Sequence, residues 1–235
     1  VKAAVIGPHA DSLRDPVSGY TYPAYIEMIE GFTKQANVSF GGIGDEVAKG
    51  KKEENPNPLA TMFSVVPAEE VGKLGDRNSV LRSMGARSLK EALEERFEVN
   101  YAKGCTIMGT ETDGVAAAVQ AAEESDVAIL TLGGNCGWVD VTGGEGKDRS
   151  SLELPGVQQQ LLERVAATGT PVVVVLYGPG CFAVPWAKEH AAAILQAWMP
   201  GPSAGDAVAK ALEGTVNPGG RMRFTLPRTV GKWRI

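Results

Sequence analysis

The sequence predicts an α/β protein: a doubly wound three-layer sandwich of about six mostly parallel strands, with an antiparallel strand at one edge. Three observations carry this prediction. From Ser88 onward, strand and helix patterns alternate, the succession that builds a sheet with helices on its faces. The runs Val127–Leu132 and Val172–Tyr177 are continuously apolar rather than alternating, as strands buried on both faces are. The final run, Arg221–Leu226, is entered through the short turn Asn217-Pro218-Gly219-Gly220, too brief for a parallel crossover.

Val1–Ile6 is a short apolar strand stopped by Gly7-Pro8, with His9-Ala10-Asp11 at its carboxyl end. A chain that starts inside a core strand is expected to have been cut from something longer. Tyr20, Tyr22 and Tyr25 lead into a helical pattern, Tyr25–Ala36, whose Ile26, Ile29 and Phe32 recur at three-residue steps. These tyrosines either line a pocket or, the favoured reading, staple the helix. From Val38 to Arg87 the periodicity dissolves into Gly41-Gly42, the charged run Lys49–Glu54 and Asn55-Pro56-Asn57-Pro58. Such turn chemistry marks an insertion at about residues 38–87 in a single domain spanning 1–235, and long loops of this kind are functional or mobile.

Ser88 is a good N-cap and Glu91 completes a capping box, with Leu89, Ala92, Leu93 and Phe97 on one helical face. Val99–Ala102 reads as a strand closed by Gly104-Cys105, and Thr112 or Asp113 caps a helix running to Ala122. After the strand Val127–Leu132 come a helix over Leu154–Ala167, the β-branched strand Val172–Tyr177 and a short helix near Trp186–His190. The strand Ala193–Trp198 and the helix Ala204–Leu212 complete the alternation.

A net charge of −5 with scattered Lys and Arg offers no basic stripe, so neither nucleic acid nor an anionic membrane is expected as a partner. No apolar run approaches the roughly 20 residues of a membrane helix, and no charged start leads into an apolar signal segment. A soluble, cytoplasmic setting is the expectation. Cys105, Cys136 and Cys181 lie far apart, with only His9 and His190 to join them. That spacing fits neither a disulfide framework nor a metal site, so structural thiols, no metal and no cofactor are expected.

The charged loop Gly143-Gly144-Glu145-Gly146-Lys147-Asp148-Arg149 follows the carboxyl end of Val127–Leu132, where open α/β sheets place their ligand crevices. Glycines on both sides of Glu145 allow tight turns and close approach to a ligand, which makes Glu145 the leading candidate for chemistry. Asp148 and Arg149 can brace the loop; the plainer reading is a solvated loop with an incidental ion pair. Right-handed crossovers place the ends of the strands from Val1, Val127 and Val172 on one rim, below Glu145. Asp140 is the lesser alternative as the acid. Trp138 either stacks on a sugar or packs structurally. The sequence has no GxGxxG after the first strand and no GxxxxGK[ST], so nucleotide-binding readings lack their motifs.

Six blocks, taken in order, carry a resemblance. They are Val5-Ile6-Gly7-Pro8-His9-Ala10-Asp11, Tyr101-Ala102-Lys103-Gly104-Cys105, Gly144-Glu145-Gly146-Lys147-Asp148-Arg149, Leu154-Pro155-Gly156-Val157-Gln158, Asn217-Pro218-Gly219-Gly220-Arg221 and Leu226-Pro227-Arg228. Together they resemble the carboxyl-terminal α/β sandwich of glycoside hydrolase family 3, the β-glucosidase and β-xylosidase type. The resemblance implies a (β/α) barrel that normally precedes the sandwich and supplies an aspartate nucleophile and most sugar contacts. It implies a glutamate acid/base on a sandwich loop, at the position of Glu145, with Trp138, Asp148 and Arg149 as substrate-binding candidates and a carbohydrate as substrate. The chain is expected to lack that barrel and so to be inactive alone. The alternative is a non-catalytic carbohydrate-binding or scaffolding module on the same fold.

Overall fold

The computed structural model describes residues 1–33, 75–222 and 225–229. Its strands are β1 (Lys2–Ile6), β2 (Glu98–Ala102), β3 (Val127–Gly133), β4 (Val172–Tyr177) and β5 (Ala193–Trp198). Its helices are α1 (Tyr22–Thr33), α2 (Arg77–Ser83), α3 (Leu89–Leu93), α4 (Val115–Glu123), α5 (Gln158–Ala166), α6 (Pro185–His190) and α7 (Ala204–Leu212). Among the described residues the sheet has five strands in the order β2-β1-β3-β4-β5, every neighbouring pair parallel. The order reverses between β1 and β3, and a crevice is expected outside the carboxyl ends of strands at such a reversal.

Alternate residues of β1, β3 and β4 feed two cores. Ala4, Ile6, Leu130, Leu132, Val174 and Leu176 point to one face, where they meet Ala118 of α4, Leu161, Leu162 and Val165 of α5, and Ala187 of α6. Ala3, Val5, Ile129, Val175 and Tyr177 point to the other, under Leu89 and Leu93 of α3 and Val208 and Ala209 of α7. This two-sided burial is why the strand sequences are apolar without alternation, and the chain is an α/β sandwich as the sequence implied.

Several boundaries differ from the expectations, each for a local reason. Helix α1 begins at Tyr22 rather than Tyr25, because Pro23 fits its first turn. Residues 34–36, the expected end of that helix, lie outside the described residues. Neither Thr112 nor Asp113 caps α4; Gly114 precedes it without a side-chain cap, and the Val115 N–H bonds to the Thr112 carbonyl instead. Helix α5 starts at Gln158, after a turn in which the Gln158 N–H donates to Pro155 O, so Leu154 and Pro155 lead into it. The antiparallel edge strand expected over Arg221–Leu226 is not formed at residues 221, 222, 225 or 226, while 223 and 224 lie outside the described residues.

Most of the expected insertion, residues 38–74, also lies outside the described residues, but its end is not a loop. Asp76 caps α2 by accepting from the Ser79 N–H, and Leu81 is wholly buried with Leu13, Val17 and Ala86. The α3 capping box is present as the sequence predicts: Glu91 N–H donates to Ser88 Oγ (3.2 Å) and Ser88 N–H to Glu91 Oε2 (2.9 Å). Arg82 of α2 completes it with a two-pronged pair to Glu91, both contacts 2.6 Å.

Gln158 closes the end of β3. Fully buried, its Oε1 accepts from the Gly133 N–H (2.7 Å), while Nε2 donates to the carbonyls of Gly133 (2.7 Å) and Ile107 (2.8 Å). Gly133 has φ +122°, and a Cβ there would sit 2.0 Å from Tyr177 O, so only glycine fits.

Two expected outcomes test this framework. Gln158→Leu, which keeps the volume but strands these backbone groups, should destabilise the chain by about 3 kcal/mol in urea unfolding, whereas Gln160→Leu at an exposed position should stay within about 0.5 kcal/mol. Hydrogen bonding to Arg82, opposed by partial burial and aided by the Ser88 N–H, holds the Glu91 carboxyl at about 2, below its ordinary value of 4.5. A depressed carboxyl stabilises the fold above its unfolded value and loses that contribution as pH falls through the folded one. Thermal melts from pH 6 to 2 should therefore show the parent exceeding Glu91→Gln near neutrality, with the gap closing between about pH 4.5 and about 2.

Candidate active site

Beyond Gly133 the chain makes a closed loop that returns on itself. Its neck is tied by Asn135 and Thr142: Asn135 N–H donates to Thr142 Oγ1 (3.0 Å), Thr142 N–H to Asn135 Oδ1 (3.1 Å), and Thr142 Oγ1 to Asn135 O (3.0 Å). At its tip Gly144 and Lys147 exchange both backbone hydrogen bonds at 3.2 Å, which leaves Glu145 and Gly146 as the two central residues of a tight turn. Gly146 has φ +67°, the left-handed value a type II turn needs at its third position. A Cβ on Gly144 would lie 2.2 Å from Gly137 O, so the turn packs closely against the loop's own outgoing segment. The glycines on each side of Glu145 therefore serve to hold its carboxylate out at the tip.

The segment between β1 and α1 forms the seat of this loop. Arg14 donates to Cys136 O (3.0 Å) and Val17 O (2.7 Å) and pairs with Glu27 of α1 (2.8 Å), which in turn pairs with Arg77 of α2 (2.5 Å). Trp138 packs against Ala24 and Met28 of α1. The Tyr20 hydroxyl donates to Glu145 Oε2 at 2.5 Å. Glu145, Trp138 and Met28 line a cavity of about 460 Å³ together with Tyr20, Tyr22 and Tyr25. The tyrosines thus line a pocket, where the sequence reading favoured a staple of the helix.

The other candidates are distributed around this centre. Trp138 is only 4% exposed, so it offers the cavity a part of its ring rather than an open face. Asp148 is exposed and, among the described residues, forms no ion pair with Arg149. Arg149 turns toward the loop after β4, donating to Cys181 O (2.8 Å) and Pro179 O (3.4 Å) and lying 4.3 Å from the Phe182 ring centre. Burial lowers its pKa from the usual value. Arg149 does brace the loop, through backbone carbonyls rather than through Asp148. Asp140 adopts φ +48° and borders a second cavity of about 320 Å³, lined also by Pro8, Asp15, Lys103, Thr106 and Asn135 at the reversal of strand order. Burial would raise the Asp15 carboxyl there, yet His9 at 3.6 Å, with Ser12 and Arg14, brings it below the ordinary value. Arg14, Glu27 and the Tyr20 contact escaped sequence reasoning because Cys136, Arg77 and Glu145, the partners that join the elements, are far away in the chain; the tyrosine cluster was the one visible signal.

A parallel sheet in this strand order, helices on both faces and a single carboxylate raised on a turn beside an aromatic cavity define an α/β sandwich that presents an acidic loop at its rim. Residues 1–234 match the Glycosyl hydrolase family 3 C-terminal domain, and the chain belongs to that family. A β-xylosidase of Formosa agariphila is 41% identical over 144 residues, covering 61% of this chain and 19% of its own length. The periplasmic β-glucosidase of Salmonella typhimurium is 27% identical over 97% of this chain and 25% of its own. An exo-α-(1->6)-L-arabinopyranosidase of Bifidobacterium longum is 33% identical over 73% and 23%. The crystal structure of a Listeria innocua β-glucosidase in complex with gluconolactone shares the fold with a TM-score of 0.64 at 23% identity, over 97% of this chain and 23% of that one. The chain spans about a quarter or less of these relatives.

The Tyr20–Glu145 contact has a measurable signature. The hydrogen bond to Glu145, then desolvation and the carboxylate's charge, raise the Tyr20 phenol above its usual value of 10.0. A carboxylate that accepts the phenolic proton disfavours phenolate. Glu145→Ala should therefore move the Tyr20 titration to lower pH, read from the ring carbon-13 shift, and leave Tyr101 unmoved.

Proposed function

We propose that this chain is the acid/base-bearing carboxyl-terminal sandwich of a retaining β-glycosidase, with a β-glucoside or β-xyloside as substrate. Glu145 is the acid/base. The observation that carries this reading is the placement of Glu145 at the tip of a glycine turn above the strand ends, with the aromatic cavity beside it. Membership of the family and the names of its relatives support the substrate class.

A retaining glycosidase needs two carboxyl groups about 5 Å apart, one attacking the anomeric carbon and one protonating the departing oxygen. In this reading a (β/α) barrel, normally amino-terminal to the sandwich, brings the aspartate nucleophile and most sugar contacts. Glu145 gives its proton to the leaving oxygen as the glycosyl–aspartate bond forms, then takes a proton from the water that cleaves that bond. Tyr20 orients the carboxyl through Oε2. Trp138 stands on the leaving-group side, Asp148 is exposed toward the incoming substrate, and Arg149 holds the loop from behind. Residues 1–235 act as one domain, with the segment at about 38–87 inserted between α1 and α3.

The purified chain should not turn over aryl β-glycosides. Joined to a barrel that carries an aspartate nucleophile, it should do so, and Glu145→Gln should then lower kcat by about 10²–10⁴, more for poor leaving groups than for activated ones. Turnover by the chain alone would overturn the need for a barrel, and an equal loss for all leaving groups would remove Glu145 as the acid.

A further inference from the structure

We propose that Arg14 is a positioning residue for Glu145: it fixes the loop that carries this carboxylate against the segment that carries Tyr20. That the group so placed is the acid of a glycosidase rests on the reading above; that Arg14 places it does not.

Three glycine backbones meet beneath Glu145, and each immediately precedes a residue around it. A Cβ on Gly19, before Tyr20, would lie 3.2 Å from the Cα of Gly137, before Trp138. The Gly137 carbonyl oxygen is the atom against which Gly144, before Glu145, is packed. The Gly137 N–H also donates to Gly143 O at 3.4 Å. The distance between Tyr20 and Glu145 is therefore set where both segments touch Gly137. Bare backbones approach closely but attract weakly, because only a few atoms are in contact. A separate group must hold them together.

Arg14 is that group. Its Nη2 donates to Cys136 O (3.0 Å), in the peptide that leads into Gly137, and to Glu27 Oε2 of α1 (2.8 Å). Its Nη1 donates to Val17 O (2.7 Å), two residues before Gly19. One planar guanidinium thus ties loop, helix and the Tyr20 segment together, and a lysine, with its compact charge on a flexible stem, does not reproduce that fork. Glu27, held from its other oxygen by Arg77, keeps the guanidinium turned inward. The side chains of Arg14 and Glu27 are only 12% and 17% exposed, so their hydrogen bonds act with little competition from water. Arg14 lines neither cavity, and its effect on a substrate passes through Glu145 rather than through contact.

The test reads the Tyr20 phenol in the 235-residue chain and leaving-group dependence in the barrel-joined enzyme. Arg14→Met should move the Tyr20 titration to lower pH, toward its value in Glu145→Ala, with Arg14→Lys in between. Gly137→Ala disturbs the same contact from the loop side and leaves no charge unpaired, because its Cβ would lie 2.8 Å from Arg14 Nη2. It should shift Tyr20 in the same direction, and it decides the question if Arg14→Met does not fold. Arg82→Met, which removes an ion pair with Glu91, should lower stability and leave Tyr20 unmoved. In the joined enzyme Arg14→Met and Gly137→Ala should each lower kcat/KM about ten-fold for an alkyl β-glycoside, but less than about two-fold for a dinitrophenyl one, which departs without a proton. A Tyr20 titration unmoved in both variants would overturn the proposal, and so would equal losses for the two leaving groups while Glu145→Gln discriminates between them. If Glu145→Gln itself does not discriminate, the acid assignment falls and the Tyr20 shift alone judges Arg14.

Discussion

Gly133 ends β3 in a backbone conformation open only to glycine, and the buried Gln158 amide takes up both of its hydrogen-bonding groups. The rest of the rim depends on this closure. A strand in mid-sheet that stops inside the protein leaves a peptide group with no ladder partner, and leaving it unpaired in a low-dielectric interior is unfavourable. Gln158 resolves the problem from the first turn of α5 and ties the Ile107 carbonyl into the same cluster. The chain can then leave the sheet at a fixed point and direction. The neck at Asn135 and Thr142 and the turn at Gly144–Lys147 are built outward from it.

The sheet was legible because its signal is local and redundant. Strands β3, β4 and β5 are apolar over nearly their whole lengths, and the Ser88–Glu91 box writes the start of α3 into four consecutive residues. What was not legible has a common cause. Helix α2 has a single wholly buried residue, Leu81, so its seven residues carry no periodic stripe to recognise. Its stability comes from elsewhere, through Arg82 to Glu91 and Arg77 to Glu27. The early start of α1 is a matter of Pro23 lying inside the first turn, where proline is tolerated but reads equally well as a breaker.

The site divides in the same way. Glu145 could be singled out from its glycines, because the reason for those glycines is a turn that the sequence nearly spells out. The tyrosines were visible as a cluster, yet their partner lies more than a hundred positions away and nothing in their spacing names it. Arg149 looked like a partner for Asp148 because the two are adjacent. Adjacent side chains in an extended segment point apart, and the guanidinium finds the carbonyls of Pro179 and Cys181 instead.

The loop between β3 and the Glu145 turn borders both cavities. Asn135 and Asp140 line the polar one, Trp138 and Glu145 the aromatic one. A partition held in common has a thermodynamic corollary. Whatever a guest on one side does to the free energy of the partition, a guest on the other side must do in return by the same amount. Where that partition couples the two hollows, the coupling is equal in both directions, and a loop substitution that alters it is read from either side.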